Sequence, residues 1–386
     1  MNIQKLILNT CFKNSFLIPK DIFFSSRIFH KKMSDNSVQR YVFNGTDAKP
    51  VFEMESELNL PELKEGEVLV KVRAATICLS DIHTVCGTRK EPTPSVLGHE
   101  ACVEVINHKR NNFELKIGDR ATFSIADTCG ECEFCLNDLS QKCVKLFKYG
   151  HAAMSNGTGF NGCYASHIII RSGTDVIKIP DEINDGLAST INCALATMVN
   201  CVDQMPENVK RSKKKALIQG DGMLGLYGCA LLNEIGFGKV YCTGNKKARG
   251  DLIKSFGGIP IFEDAELESE TNQIDCIFEV CGSSDVIPNG IRLLKPGGAY
   301  IFAGMVHPKT SLNITGEQLI RKCLTLRGVH NYQGKHLKKS VEFLKNSIHK
   351  YPFEKLICPR NYALNELPDA IDMAMKKEYP RICVIP

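Results

Sequence analysis

Four closely spaced cysteines constrain this chain more than any other feature: Cys129, Cys132, Cys135 and Cys143, in the run CGECEFCLNDLSQKC. The spacing C-x2-C-x2-C-x7-C lets one short loop close four thiolates around a single tetrahedral Zn²⁺, each about 2.3 Å from the metal. Zinc bound this way has no open position, so such a site holds shape and carries no reaction. A pair of disulfides or four unrelated thiols are the alternatives, but chance rarely sets four cysteines at ligand spacing.

With 386 residues the chain is long enough for two domains. Its composition, 43% apolar and 24% charged, is that of an ordinary soluble globular protein. No apolar stretch approaches the roughly 18 residues of a membrane span. The net charge of +5 is confined to one end: residues 1–32 hold six Lys/Arg against Asp21 alone, and the remainder balances 42 basic with 42 acidic residues. A neutral body argues against a nucleic-acid footprint. The leader, rich in Lys, Phe and Ser, suits a mitochondrial transit peptide better than a secretory signal. The alternative is a start at Met33 and a cytoplasmic protein. Either compartment keeps thiols reduced, consistent with 18 cysteines used as ligands and small core residues.

Between about Val42 and Pro180 short apolar runs alternate with turn signals: VLVKVRAAT (68–76), VEVI (103–106), ATFSI (121–125) and SHIIIRS (166–172). This is β texture. From Ala216 the pattern becomes alternating strands and helices: ALIQG, then MLGLYGCALLNEIG, VYCTG, KKARGDLIKSFGG, IDCIFEVCG, a helix near 284–294, and GAYIFAG. Such alternation predicts an α/β doubly wound parallel sheet. HLKKSVEFLKNSI reads as an amphipathic helix, and the closing PRICVIP as a strand returning to the first domain.

Gly220, Gly222 and Gly225 form G-x-G-x-x-G, with Leu224 inside it, between the strand ALIQ and a helix. In that setting the glycines permit a tight turn and close backbone approach to a dinucleotide pyrophosphate at a helix N-terminus. An acid at the end of the second strand would bond the adenosine ribose of NAD. Here the strand continues into Gly244, Asn245, Lys246, Lys247, Ala248 and Arg249, with no acid until Asp251. Glycine makes room for a 2′-phosphate, and Lys246, Lys247 and Arg249 are placed to neutralise it, so NADP is favoured over NAD. The alternative is that these charges only solvate the next helix, with Asn245 holding an NAD ribose.

Three further segments complete the pattern: Cys78-Leu79-Ser80-Asp81-Ile82-His83, then Gly98-His99-Glu100, and later Cys193 in NCALATM. With the four-cysteine loop and the glycine motif, they make residues 40–386 resemble the zinc-dependent medium-chain alcohol and polyol dehydrogenases. FEVCG (278–282) is similar to that family's fourth coenzyme-domain strand. The resemblance implies a GroES-like, mostly-β catalytic domain over 40–192 and 334–386, and a Rossmann coenzyme domain over 193–333. It also implies two zinc ions per chain, the catalytic one on Cys78, His99 and Cys193, with Glu100 a nearby carboxylate able to replace or displace water. Ser80 would take the hydroxyl proton, His83 would pass it to solvent, and Asp81 would orient His99. Cys163 and Cys201 are rival sulfurs to Cys193.

The chain departs from that family in two places. Val103 stands where a glycine is usual, and Leu79 where several relatives carry a basic or small polar residue. Leu79 cannot reach a pyrophosphate, which leaves Arg381 in the C-terminal segment as the phosphate contact. With NCALATM, the run Arg327-Gly328-Val329-His330-Asn331-Tyr332 resembles a branch labelled phosphonate-catabolism-associated alcohol dehydrogenases. There His330, Asn331 and Tyr332 either meet a polar substrate head group or line the domain junction. The expected reaction is hydride transfer between a primary or secondary alcohol, polyol-like or small and polar, and NAD(P)⁺, in a homodimer or homotetramer. The alternatives are a zinc-independent quinone or enone reductase of the same superfamily and an inactive NADP-binding relative.

Overall fold

A computed structural model describes residues 37–386; the leader expected over 1–32 and the alternative start at Met33 lie outside them. The chain divides into two compact units, one running to Asn192 and resuming over Leu356–Pro386, the other comprising Cys193–Lys355.

In the first unit a seven-stranded sheet is built around Val68–Thr76. That strand pairs antiparallel with Glu100–His108, with His167–Ile170 and with Arg381–Ile385. Side chains of Val68, Val70 and Val72 are buried while Lys71 and Arg73 point away, the period-two pattern of a half-buried strand. The glycine missing at position 103 costs the sheet no turn. Val103 pairs with Val72 inside the strand, and the irregularity falls opposite it, where Arg73 is the extra residue between Val72 and Ala74. The core gathers Val68, Val70, Leu97, Val103, Phe123, Tyr149, Tyr164 and Ile168.

The second unit carries a six-stranded parallel sheet. In chain order its strands are Lys215–Gln219, Lys239–Thr243, Ile259–Ile261, Ile274–Glu279, Leu294–Phe302 and Thr325–Gly328. Their spatial order is third, second, first, fourth, fifth, sixth, so the direction of winding reverses between the first and the fourth. Ligands of doubly wound sheets sit at the carboxyl ends of such strands. Ile274–Glu279 is buried along its whole length, as a strand covered on both faces must be. Two short strands, Ile259–Ile261 and Thr325–Gly328, carry too few apolar residues for their sequences to announce them.

One boundary differs from expectation. The helix Gly334–Ser347 belongs to the second unit, and the chain returns to the first only at Leu356. Its apolar stripe, Leu337, Val341 and Leu344, is buried, and the helix packs on Ala196–Asp203. Lys339 Nζ bonds Asp203 Oδ2 at 2.5 Å, and His336 Nε2 lies 3.3 Å from the same oxygen. Amphipathicity shows that a face must be covered; it does not say by which neighbour. Among the described residues no helix is long and apolar enough to cross a membrane.

Candidate active site

The four-cysteine loop leaves the first unit between two short strands, Ala126–Asp127 and Phe147–Lys148, which pair antiparallel at its base. All four sulfurs lie within 4.8 Å of one another. Cys143 Sγ is 3.4 Å from Cys129 Sγ, Cys132 is 3.5 Å from Cys135, and Cys129 is 4.0 Å from Cys135. Zinc–sulfur bonds of about 2.3 Å at tetrahedral angles put sulfurs ~3.8 Å apart, so the cage has the size zinc requires. Backbone N–H groups supply further stabilisation of thiolates: those of Cys129 and Lys145 donate to Cys143 Sγ at 3.2 and 3.3 Å. The N–H groups of Val144 and Cys135 bring the Cys132 thiol down to about 6, and that of Glu131 lowers Cys129. Cys135 is pushed up to about 12 by burial and its neighbouring sulfurs, as expected of negative charges that need a cation among them. None of the described cysteines is disulfide-bonded.

The second cluster is assembled from distant segments. Past the strand Val68–Thr76, Cys78 forms the N-cap of a short helix, Leu79–Val85. Its backbone N–H donates to Asp81 Oδ2 at 2.9 Å, so the aspartate three residues on closes the helix start. His99 follows Gly98, whose φ of +84° and contact with the Tyr164 ring allow no side chain. Cys193 lies in a π-helical turn, Ile191–Leu195, a rare geometry frequent at functional positions. The two units divide at the peptide bond joining Asn192 to Cys193, so this residue is covalently continuous with the first unit. Ligand atoms of Cys78, His99, Glu100 and Cys193 all lie within 4.8 Å of one another. The rival sulfurs Cys163 and Cys201 are not in the group.

Around these atoms runs a buried polar network. Asp81 Oδ1 sits 3.4 Å from His99 Nδ1, and Tyr164 donates its hydroxyl to Asp81 Oδ2 at 3.0 Å. Both Asp81 and His99 are almost fully buried. Burial opposes a charged imidazole, but the Asp81 carboxylate, followed by Cys78, outweighs it and raises His99 to about 10. The local field therefore favours positive charge at this ring. Ser80 Oγ is 3.4 Å from His99 Nε2, the ring nitrogen other than the one beside Asp81. His83 Nδ1 is 2.9 Å from Thr88 Oγ1. Because that hydroxyl already donates to the His83 carbonyl, it accepts from Nδ1–H, which leaves Nε2 as the basic nitrogen.

Arg381, expected as a phosphate contact, meets a carboxylate of its own unit. It is buried, and its guanidinium grips both oxygens of Glu100, Nε to Oε2 at 2.7 Å and Nη2 to Oε1 at 2.8 Å. Nη2 also lies 3.7 Å from Cys78 Sγ. Thr76 donates to Glu100 Oε2 at 2.7 Å, and Ser189 to Thr76 at 3.1 Å. Burial pushes the Glu100 carboxyl up while the Arg381 guanidinium opposes it. Asn192 donates to the His99 carbonyl at 2.9 Å. No motif marks Thr76, Tyr164 or the Glu100–Arg381 pair, Asn192 was quoted only as part of NCALATM, and sequence reading missed these contacts. His151 sets its ring, tilted, 4.8 Å from that of His99 and meets Glu91 Oε1 at 3.1 Å.

In the second unit the glycine loop has the geometry a dinucleotide needs. Gly220 has a φ of +133°, Gly222 starts the helix Met223–Glu234 with no side chain capping it, and a Cβ on Gly225 would overlap the Gly220 carbonyl. A Cβ on Gly222 would meet nothing, leaving room for a phosphate at a helix start. Leu224 lies in the first turn of that helix. Gly244 and Asn245 follow the second strand, Asn245 exposed. Lys247 lies 3.5 Å from Glu263 in an exposed pair, and Arg249 Nη1 donates to the Asp221 carbonyl at 2.9 Å. The backbone N–H of Lys246 points to Asp221 Oδ2 at 3.3 Å. Sequence reading passed over Asp221 because it sits inside the glycine motif and far along the chain from residue 244. Of the residues in the closing run, His330 is exposed, Tyr332 is buried, and the Asn331 carbonyl accepts from Asn200 Nδ2 at 2.8 Å.

Residues 64–181 match the family model for the alcohol dehydrogenase GroES-like domain, and residues 195–377 that for the glucose dehydrogenase C-terminus. An L-threonine 3-dehydrogenase of Vibrio cholerae serotype O1 is 27% identical over 292 residues, covering 71% of this chain and 79% of its own. A D-arabitol-phosphate dehydrogenase of Enterococcus avium is 28% identical over 333 residues, 83% of this chain and 90% of its own. An alcohol dehydrogenase of Thermotoga maritima superposes with a TM-score of 0.83 at 25% identity, over 91% of this chain and 99% of that one. Two family models spanning most of both units, with the ligand-bearing segments in place, lead to one conclusion: the chain belongs to the zinc-type medium-chain alcohol/polyol dehydrogenase family.

Proposed function

We propose that this oxidoreductase transfers hydride between the carbinol carbon of a small polar alcohol or polyol and a nicotinamide dinucleotide, using one zinc ion on Cys78, His99 and Cys193. A second zinc in the four-cysteine loop supports the fold. The observation that carries the reading is the convergence of two sulfurs, an imidazole and a carboxylate from distant segments, with the Ser80 hydroxyl beside the imidazole nitrogen. Three protein ligands leave one tetrahedral position open, and zinc held there would acidify a substrate hydroxyl and make its carbon a hydride donor near neutral pH.

The chain's own groups do the rest. Asp81 holds the His99 ring through Nδ1, which presents Nε2 to the cluster. Ser80 accepts the hydroxyl proton while donating its own, since a hydroxyl is a poor base and a good relay. His83, with Nε2 basic, delivers that proton to solvent. Glu100, clamped by Arg381 and Thr76, stands by as the carboxylate that exchanges with water. The relatives named for threonine and arabitol phosphate favour a secondary hydroxyl flanked by polar groups. We include in the proposal a homodimer or homotetramer and, on the basic leader, mitochondrial targeting.

Metal analysis of the purified chain, joined to a screen of alcohols and carbonyl compounds with NAD⁺ and NADP⁺, tests this reading. Two zinc ions per chain and turnover of a polyol or amino alcohol are expected. One zinc per chain would leave a structural site only, and none would favour the zinc-independent reductase.

A further inference from the structure

The strand Lys239–Thr243 ends without an acid, and Gly244 follows it. The space that a side chain at 244 would fill is nevertheless taken: a Cβ built there would overlap the Asp221 carboxylate. Asp221 is 8% exposed and comes from the glycine loop rather than from the strand. Its Oδ2 accepts the backbone N–H of Lys246 at 3.3 Å, and its Oδ1 lies 3.4 Å from Arg249 Nη1. The Gly220 N–H bonds the Thr243 carbonyl at 3.0 Å, which fixes the loop against the strand end and the carboxylate with it.

We infer that Asp221 supplies the carboxylate for the adenosine ribose and sets dinucleotide selectivity toward NAD, a role resting on the proposed use of this loop by a nicotinamide dinucleotide. Two features usually separate the cofactors: an acid at the second strand end accepts the ribose hydroxyls of NAD, and an arginine nearby neutralises the 2′-phosphate of NADP. This chain brings both to one spot and sets them against each other. Arg249 is engaged by the Asp221 carbonyl and faces its carboxylate. A 2′-phosphate entering there would meet a buried carboxylate, and like charges brought together repel. The absence of an acid after the second strand therefore does not make the site selective for NADP: the acid arrives from the preceding turn.

Binary binding of NADH and NADPH, followed by nucleotide fluorescence on the metal-loaded protein, tests the assignment without turnover. The unmodified protein should bind NADH about tenfold or more tightly than NADPH. Asp221→Asn, which keeps the side-chain volume, should weaken NADH and tighten NADPH, shifting the ratio toward NADPH by about tenfold or more. Asp221→Ser repeats the test should the amide disturb the loop. An unmodified protein that prefers NADPH, or variants in which the ratio stays fixed, would remove Asp221 from this role. If neither dinucleotide binds, the cofactor reading itself fails, an outcome distinct from an unchanged ratio.

Discussion

The two cysteine-bearing clusters use similar atoms in opposite ways. The loop of Cys129, Cys132, Cys135 and Cys143 takes four sulfurs from one short stretch, keeps three of them partly exposed, and surrounds them with backbone N–H groups. The cluster of Cys78, His99, Glu100 and Cys193 draws on distant segments, is largely buried, and is surrounded by charged side chains: Asp81 behind the imidazole, Arg381 across the carboxylate. Backbone donors favour thiolates whatever the substrate, and ask only that the loop close. Side-chain charges can be placed where a reaction needs them, but each must be paired, because an unpaired charge in a dry interior is expensive. The difference teaches that four sulfurs can be gathered by one local loop, whereas a buried cluster of mixed ligands needs partners from distant segments.

That contrast breaks most directly at Cys78. Cys78→Ser should abolish alcohol turnover while thermal stability and the zinc of the loop persist; activity retained in a steady-state assay would remove Cys78 from the ligand set. Cys132→Ser should do the reverse, with activity per folded molecule kept and the unfolding midpoint clearly lowered, since a structural metal contributes folding free energy. Thermal or denaturant unfolding measures this, and an unchanged midpoint would speak against a four-thiolate metal. The charged surroundings of the buried cluster are sharpened by Arg381→Ala, which strands Glu100 in the interior. A destabilisation of about 3–5 kcal/mol is expected, partly recovered on adding Glu100→Gln; denaturant titration of both variants decides. The smallest effect is expected from Asp81→Asn, which keeps the shape but weakens the hold on the imidazole. Zinc affinity should fall by about 10–100-fold, read by competition with a chelating dye, with the loop zinc unaffected.

How much of this was legible in the sequence follows the same divide. The four-cysteine loop and the glycine turn could be read directly, because each is a local solution to a local geometric problem, and strands such as VLVKVRAAT declare their faces by alternation. Cys78 and Asp81 were marked by the family resemblance as ligand and orienting carboxylate, while their pairing at the helix start emerged only from the structure. Arg381 against Glu100, Tyr164 against Asp81 and Asn192 against the His99 carbonyl were not, since these partners meet only when the strands align. Asp221 was hidden in a subtler way: its motif position is permissive, and only the parallel pairing of Lys215–Gln219 with Lys239–Thr243 brings it beside Gly244. Helix Gly334–Ser347 showed which face it would bury and withheld the neighbour that covers it.

The ladder at the base of the cysteine loop has a consequence for how such proteins diverge. Ala126 pairs with Lys148 and Asp127 with Phe147, so the two ends of the excursion already stand side by side before any cysteine is counted. A tight hairpin spliced across that doorway would leave the pairing of Ala126–Asp127 with Phe147–Lys148 undisturbed. The excursion is thus anchored by its own doorway, so its length can change without moving the two strands that carry it.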